Sequence, residues 1–104
     1  MTHKWTGRWA VKMTAATLAN YGTVCHLCLL PGSTTADHLT SRREGGSDDL
    51  ANLRPAHHLC NSTRQDRPIT PELLDYFRTD DWRNRIGGPT IVLDQRAWFT
   101  ASAQ

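Results

Sequence analysis

A chain of 104 residues has room for one domain with a modest core, which a metal cross-link would help to fold. Its 12 Lys+Arg against 10 Asp+Glu leave a net charge of +2, too small to identify a partner, although ten of those cations are arginine, the better fork for phosphate. No apolar run is long enough to span a bilayer, no signal-like stretch opens the chain, and three cysteines argue against a closed disulfide framework, so a soluble cytoplasmic protein with no membrane partner is expected.

Residues 1–7 are polar apart from Trp5 and read as a loose lead-in. From about 8 to 21 the recurrence of Trp9, Met13, Ala16 and Leu18 or Ala19 predicts a helix, stopped by Gly22. Arg8 and Lys12, one turn apart on it, read as a solvated face. Cys25-His-Leu-Cys28 fits a tight knuckle, and Pro31-Gly32-Ser33 a turn. Residues 34–39 read as a short strand carrying Asp37 and His38, and 41–49, with Gly45-Gly46, as a loop. Residues 50–55 form a second extended piece carrying Asn52, and 57–65 the start of a helix ended by Pro68. Two strands, a loop and a helix make a ββα unit. Thr70-Pro71-Glu72 starts another helix, with Leu73, Leu74, Tyr76 and Phe77 as its apolar face and residues 80–85 as an extension or a second short turn. After Gly87-Gly88-Pro89, residues 90–93 are a β-type run and 95–104 a tail whose Trp98-Phe99 packs back.

All three cysteines and four of the five histidines lie between Cys25 and Arg64. Cys25-x-x-Cys28 and His57-x-x-Cys60 are two pairs of equal internal spacing, separated by 28 residues. Tetrahedral zinc takes four such S/N ligands, and pairs two residues apart are how knuckles supply them. The gap is too long for a two-Cys two-His finger, which has about twelve residues there. Spacing alone leaves His57 and His58 both open as the third ligand, although His58 is a tight bite from Cys60. His26 is expected to point away from the metal. A redox role for Cys-x-x-Cys is disfavoured because no βαβ pattern surrounds it.

Between these pairs lie Asp37-His38 and Asn52-Leu53-Arg54-Pro55, and Asn61 follows Cys60, with Arg64 three positions later. In this order and spacing the stretch resembles the HNH endonuclease family, over Cys25 to Arg64, about two fifths of the chain. The resemblance implies an α+β fold: a ββα-metal (His-Me finger) core at 25–64 with a structural zinc, flanked by the N-terminal helix and a C-terminal helical extension from about 69 to 104, all in one domain. It implies a metal-dependent DNA endonuclease. Asp37 would bind a catalytic divalent ion, Mg²⁺ or Mn²⁺ with Ni²⁺ as a substitute, and Asn61 would be its second ligand. His38 would be the general base, Asn52 would hold the loop and so orient His38, and Arg64 would lie near the phosphate. Asn61 and His57 depart from the commoner His and Cys at those places, but an amide oxygen suits Mg²⁺ and histidine is an ordinary zinc ligand. Small proteins of this kind occur in phages near the packaging genes, which would make a large terminase subunit a partner and the host cytoplasm the location.

Adjacent strand residues face opposite ways, so Asp37 and His38 need a bend to converge. Arg42, Arg43, Arg54, Arg64 and Arg67 are the candidates for DNA-backbone contact, which would give affinity without sequence reading. Trp82, Arg83 and Arg85 could add contacts; otherwise Trp82 packs in the core and the arginines face solvent. The competing reading is a zinc-stabilised DNA- or protein-binding module without catalysis.

Overall fold

The computed structural model describes residues 4–87; the expected strand at 90–93 and the tail at 95–104 lie outside them. Helix α1 (Gly7–Tyr21) is closed by Gly22, whose φ of +88° is open to glycine at little cost and whose N–H bonds the Leu18 carbonyl. Its inward face is not quite the one that the apolar spacing suggests. The fully buried residue is Thr17, with its hydroxyl donating to Met13 O at 2.7 Å, while Ala19 is exposed. A threonine can lie there because that bond satisfies its polar atom within the helix.

Strands β1 (Thr35–His38) and β2 (Leu53–Ala56) form a two-stranded antiparallel sheet, with Asp37 opposite Arg54 and His38 opposite Leu53. Pro55 is tolerated because a two-stranded sheet leaves an edge on each strand. Helix α1 lies against both strands. Helix α2 (His58–Arg64) follows β2 after one residue and contacts β1, completing the ββα unit of an α+β fold.

The segment between the strands is more ordered than a plain loop. It holds one 3₁₀ turn at Arg42–Glu44 and another at Leu50–Asn52, so Asn52 ends a turn before β2 rather than lying in a strand. From there its side chain spans the base of the loop. Oδ1 accepts from Thr40 N at 2.9 Å, and Nδ2 donates to Thr40 O at 3.0 Å and Ser47 O at 2.7 Å. Gly46 lies so close under this bridge that a Cβ there would be 1.8 Å from Thr40 O.

Helices α3 (Pro71–Phe77) and α4 (Asp80–Arg85) are separate, each begun by a threonine cap: Thr70 accepts from Leu73 N and Thr79 from Trp82 N, both at 3.1 Å. They cover the knuckle. Cys25, Leu27, Cys28, Ala56, Cys60, Leu73, Phe77 and Trp82 form the buried core, so the cysteines are its centre. Arginines fasten the cover down. Arg78 donates to the carbonyls of Leu27 (2.9 Å) and His26 (3.1 Å), and Arg83 to that of Cys28 (2.9 Å). Arg83 is therefore not a solvent-facing arginine; the carbonyls of a tight knuckle need donors, and it supplies one. No helix among the described residues is long and apolar enough to cross a membrane.

Candidate metal centre and catalytic site

The thiolate and imidazole ligand atoms of Cys25, Cys28, His57 and Cys60 lie within 4.8 Å of one another. Zinc bonds of about 2.3 Å to sulfur and 2.0–2.1 Å to nitrogen, at tetrahedral angles, put each S···N edge at about 3.5 Å. His57 Nδ1 is 3.3 Å from Cys28 Sγ and 3.8 Å from Cys60 Sγ, on either side of that value. His57 Nε2 lies 2.8 Å from the Pro31 carbonyl, which can only accept. Nε2 therefore carries the hydrogen, and Nδ1 turns its lone pair toward the sulfurs, as a ligand must. His58 is exposed. The three-cysteine, one-histidine cluster can hold a structural zinc.

Hydrogen bonds from Cys28 and then Cys60 pull the Cys25 thiol far down, despite burial. The same contacts with Cys25 push Cys28 and Cys60 up. A divalent ion on the cluster would displace the thiol protons. Trp82 Nε1 adds a donor to Cys60 Sγ at 3.2 Å. Trp82 is core, but a core residue that also bonds a ligand; only the tertiary fold brings it 22 positions back along the chain.

The residues nested inside the clasp divide between the two faces of β1. Asp37 faces the knuckle and α2. Its Oδ2 accepts from His26 Nε2 and from Arg64 Nη1, both at 2.8 Å. His26 thus points away from the sulfurs and into the second site. Asn61, at the same side, donates through Nδ2 to Ala36 O at 3.2 Å and to Thr35 Oγ1 at 3.5 Å. Thr35 and Asp37 share one strand face, so Asn61 bonds a residue on the face that carries Asp37.

Arg64 lies elsewhere than a phosphate contact would. It is 1 % exposed. Besides Asp37 it donates to the carbonyls of His38, Leu39 (3.1 Å) and Arg67 (2.9 Å). The sequence expectation of a backbone-facing arginine is corrected here: Asp37 and three carbonyls claim its guanidinium, and a planar fork suits converging acceptors.

His38 faces the other way. Its hydrogen bond runs to the loop between the strands, whereas those of Asp37 and Asn61 run to His26, Arg64 and the start of β1. Its Nε2 is 2.8 Å from Asp48 Oδ1, and Trp5 stands edge-on to the ring with centroids 4.7 Å apart. Trp9 Nε1 donates to Asp48 Oδ2 at 2.9 Å, and Arg42 Nε is 3.2 Å from Oδ1. Burial alone would raise the Asp48 carboxyl, but hydrogen bonds from His38 and Trp9 and the Arg42 charge outweigh it and hold it below its ordinary value. The lead-in is therefore not loose at Trp5: its ring has the His38 face to cover. Asp48 and Trp9 had no local sign in the sequence beyond an acid in a polar loop and an aromatic on a helix.

Other arginines have partners of their own. Arg43 is exposed and paired with Asp66 at 3.1 Å. Arg54 stacks on Tyr21, with its guanidinium carbon 4.2 Å from the ring centroid. Arg67 is exposed but donates to the Arg64 and Thr63 carbonyls. Arg85 lies over Trp82 at 5.9 Å.

A family model described as HNH endonuclease matches residues 25–67, which contain the four residues of the sulfur–imidazole cluster and every inner-site residue above except Trp5 and Trp9. No curated protein matches the chain. No solved structure does either.

Proposed function

We propose that this HNH-family segment is the working part of a metal-dependent DNA endonuclease. The observation that carries the reading is the pairing of two unlike sites in one stretch. A soft three-sulfur, one-nitrogen cluster and a carboxylate and amide oxygen, which are hard donors, share the matched stretch.

Asp37 and Asn61 are the residues that would hold the catalytic cation. Asp37 uses only Oδ2 for His26 and Arg64, which leaves Oδ1 for a ligand bond. Asn61 donates through Nδ2, which leaves its Oδ1. Bound there, Mg²⁺ or Mn²⁺, with Ni²⁺ as a substitute, would neutralise charge on the phosphate and on the leaving oxygen. His38 is the general base of the reading, since an imidazole near neutrality can take a proton from water. The water oxygen bonds phosphorus, its proton goes to His38, the bond to the 3′ oxygen breaks, and solvent protonates that oxygen. Asn52 supports the base through the loop that it spans. Arg42, Arg43, Arg54 and Arg67 are the backbone-contacting cations of the reading; Arg64 instead holds Asp37. The reading places the protein in the cytoplasm, and a supporting role in phage DNA packaging beside a large terminase subunit extends it from the sequence resemblance alone.

A second reading has its own observation. Asp37 is already paired with Arg64, and His38 is covered by Trp5, as suits a zinc-stabilised DNA- or protein-binding module without catalysis. Supercoiled plasmid separates the two. Zinc-loaded protein with Mg²⁺, Mn²⁺ or Ni²⁺ should convert it to nicked or linear form, and His38→Ala with full zinc content should not. Equal conversion by both proteins would remove His38 as the base, and no conversion with any of the three ions would favour the binding module.

A further inference from the structure

A histidine that takes a proton from water must present one ring nitrogen bare and keep it so. In His38 the two nitrogens are not equivalent. Nε2 is 2.8 Å from Asp48 Oδ1, and an ionised carboxylate only accepts. Nε2 therefore holds the hydrogen. Nδ1 keeps its lone pair, and no described group hydrogen-bonds to it.

We propose that Asp48 is the positioning residue for His38: it fixes the ring plane and the tautomer that leaves Nδ1 as the accepting nitrogen.

Asp48 is built to hold still. His38 and Asp48 are both about nine-tenths buried, with side chains 10 % exposed. Each Asp48 oxygen is engaged, Oδ1 by His38 and Arg42 and Oδ2 by Trp9. Asn52 holds the carbonyl of the preceding residue, Ser47, at 2.7 Å. The loop bridge thus acts on the base through Asp48, the loop side chain hydrogen-bonded to it. Trp5, edge-on at 77°, fills the space in which the ring would turn. Once Nδ1 takes a proton the ring is a cation, and the carboxylate on its far nitrogen stabilises that charge without itself accepting the proton. Helix α1 then contributes to the chemistry through Trp9, although it lies outside the matched segment.

The kinetic consequence rests on the endonuclease reading; the tautomer does not, so the two can fail separately. On zinc-loaded full chain, long-range ¹H–¹⁵N spectra of the histidine rings should show His38 protonated at Nε2 and bare at Nδ1, and Asp48→Ala should mix the two tautomers. A wild-type ring protonated at Nδ1, or an unchanged pattern in Asp48→Ala, would overturn the proposal whatever the activity. In the plasmid assay, Asp48→Ala should lower kcat by about 10–100-fold, with KM for DNA within about twofold and zinc content unchanged. Asp48→Asn keeps an accepting oxygen, so it should retain the tautomer and lose only part of kcat. Wild-type kcat in Asp48→Ala beside an inactive His38→Ala would overturn it as well. Should Asp48→Ala not fold, Trp9→Phe removes one donor to the carboxylate and should give a smaller drop in kcat with a partly mixed tautomer; no change in either would count against the proposal.

Discussion

Replacing Arg64 by leucine tests whether this arginine holds the protein together or holds DNA. The side chain is 1 % exposed and makes an ion pair at 2.8 Å with an Asp37 that is itself 4 % exposed. Leucine fills most of the space but leaves the Asp37 carboxylate without its cation and the carbonyls of His38, Leu39 and Arg67 without a donor. Removing one partner of a buried pair costs about 3–5 kcal/mol. A domain of this size is stable by about 5–15 kcal/mol, so Arg64→Leu should lose a large part of its stability. The assay is urea unfolding of zinc-loaded protein, followed by far-ultraviolet circular dichroism. Arg64→Lys keeps the charge but cannot fork, and should lie between the two. Asp37→Asn in the Arg64→Leu background should recover part of the loss, because the orphaned charge is then gone. A loss below about 1 kcal/mol, the range of a surface ion pair, together with weakened DNA binding, would refute the burial argument and return Arg64 to the phosphate backbone.

Three further outcomes are expected. Stripping zinc with a chelator, or Cys60→Ser, should change the emission of Trp82, which bonds Cys60 Sγ at 3.2 Å, and should abolish cleavage together with folded structure; folded, zinc-free protein of unchanged emission would contradict the placement of the cluster. Gly46→Ala must move the loop, since its Cβ would meet Thr40 O at 1.8 Å, and should cost about 1–3 kcal/mol in urea while zinc remains bound. Asp48 gives a pH dependence of definite sign: its carboxyl is lowered in the fold, so its stabilisation is present above the ordinary carboxylate value of about 3.9 and is lost as pH falls through the lower folded value. The gap in urea midpoint between wild type and Asp48→Asn should therefore close as pH falls below the ordinary carboxylate value; a gap that persisted in strong acid would refute the direction.

The parts of this molecule legible in the sequence are those encoded locally. Two x-x spacings place four ligands, a glycine ends α1, and threonine-proline begins α3, because caps and knuckles need particular residue types at fixed short offsets. The loop bridge by Asn52 lies between these cases: the residue is legible in its motif, but its place at the end of a 3₁₀ turn is not. What stayed hidden is tertiary. Trp9 meets Asp48 across 39 positions and Arg64 meets Asp37 across 27, and no period or motif records such pairings. An arginine near a candidate site reads as a phosphate contact from sequence, because composition does not say which way a guanidinium turns. Trp5 looked idle for the same reason: the surface it covers belongs to a strand some thirty residues away.

A zinc ion held by the four-residue cluster would also act on the unfolded chain. Cys28 and His57 are 29 positions apart, and everything between them, both strands and the loop, becomes a closed ring when one ion joins its ends. Treated as a simple cross-link, closing a loop of that length removes chain freedom worth about 3–4 kcal/mol. That is a sizeable share of a small domain's stability. Asp37, His38, Asp48 and Asn52 all lie on the ring, and Asn61 lies one residue past Cys60. The search that would bring these residues together from an open chain is thereby shortened, while α1, α3 and α4 remain outside the ring and can only brace it.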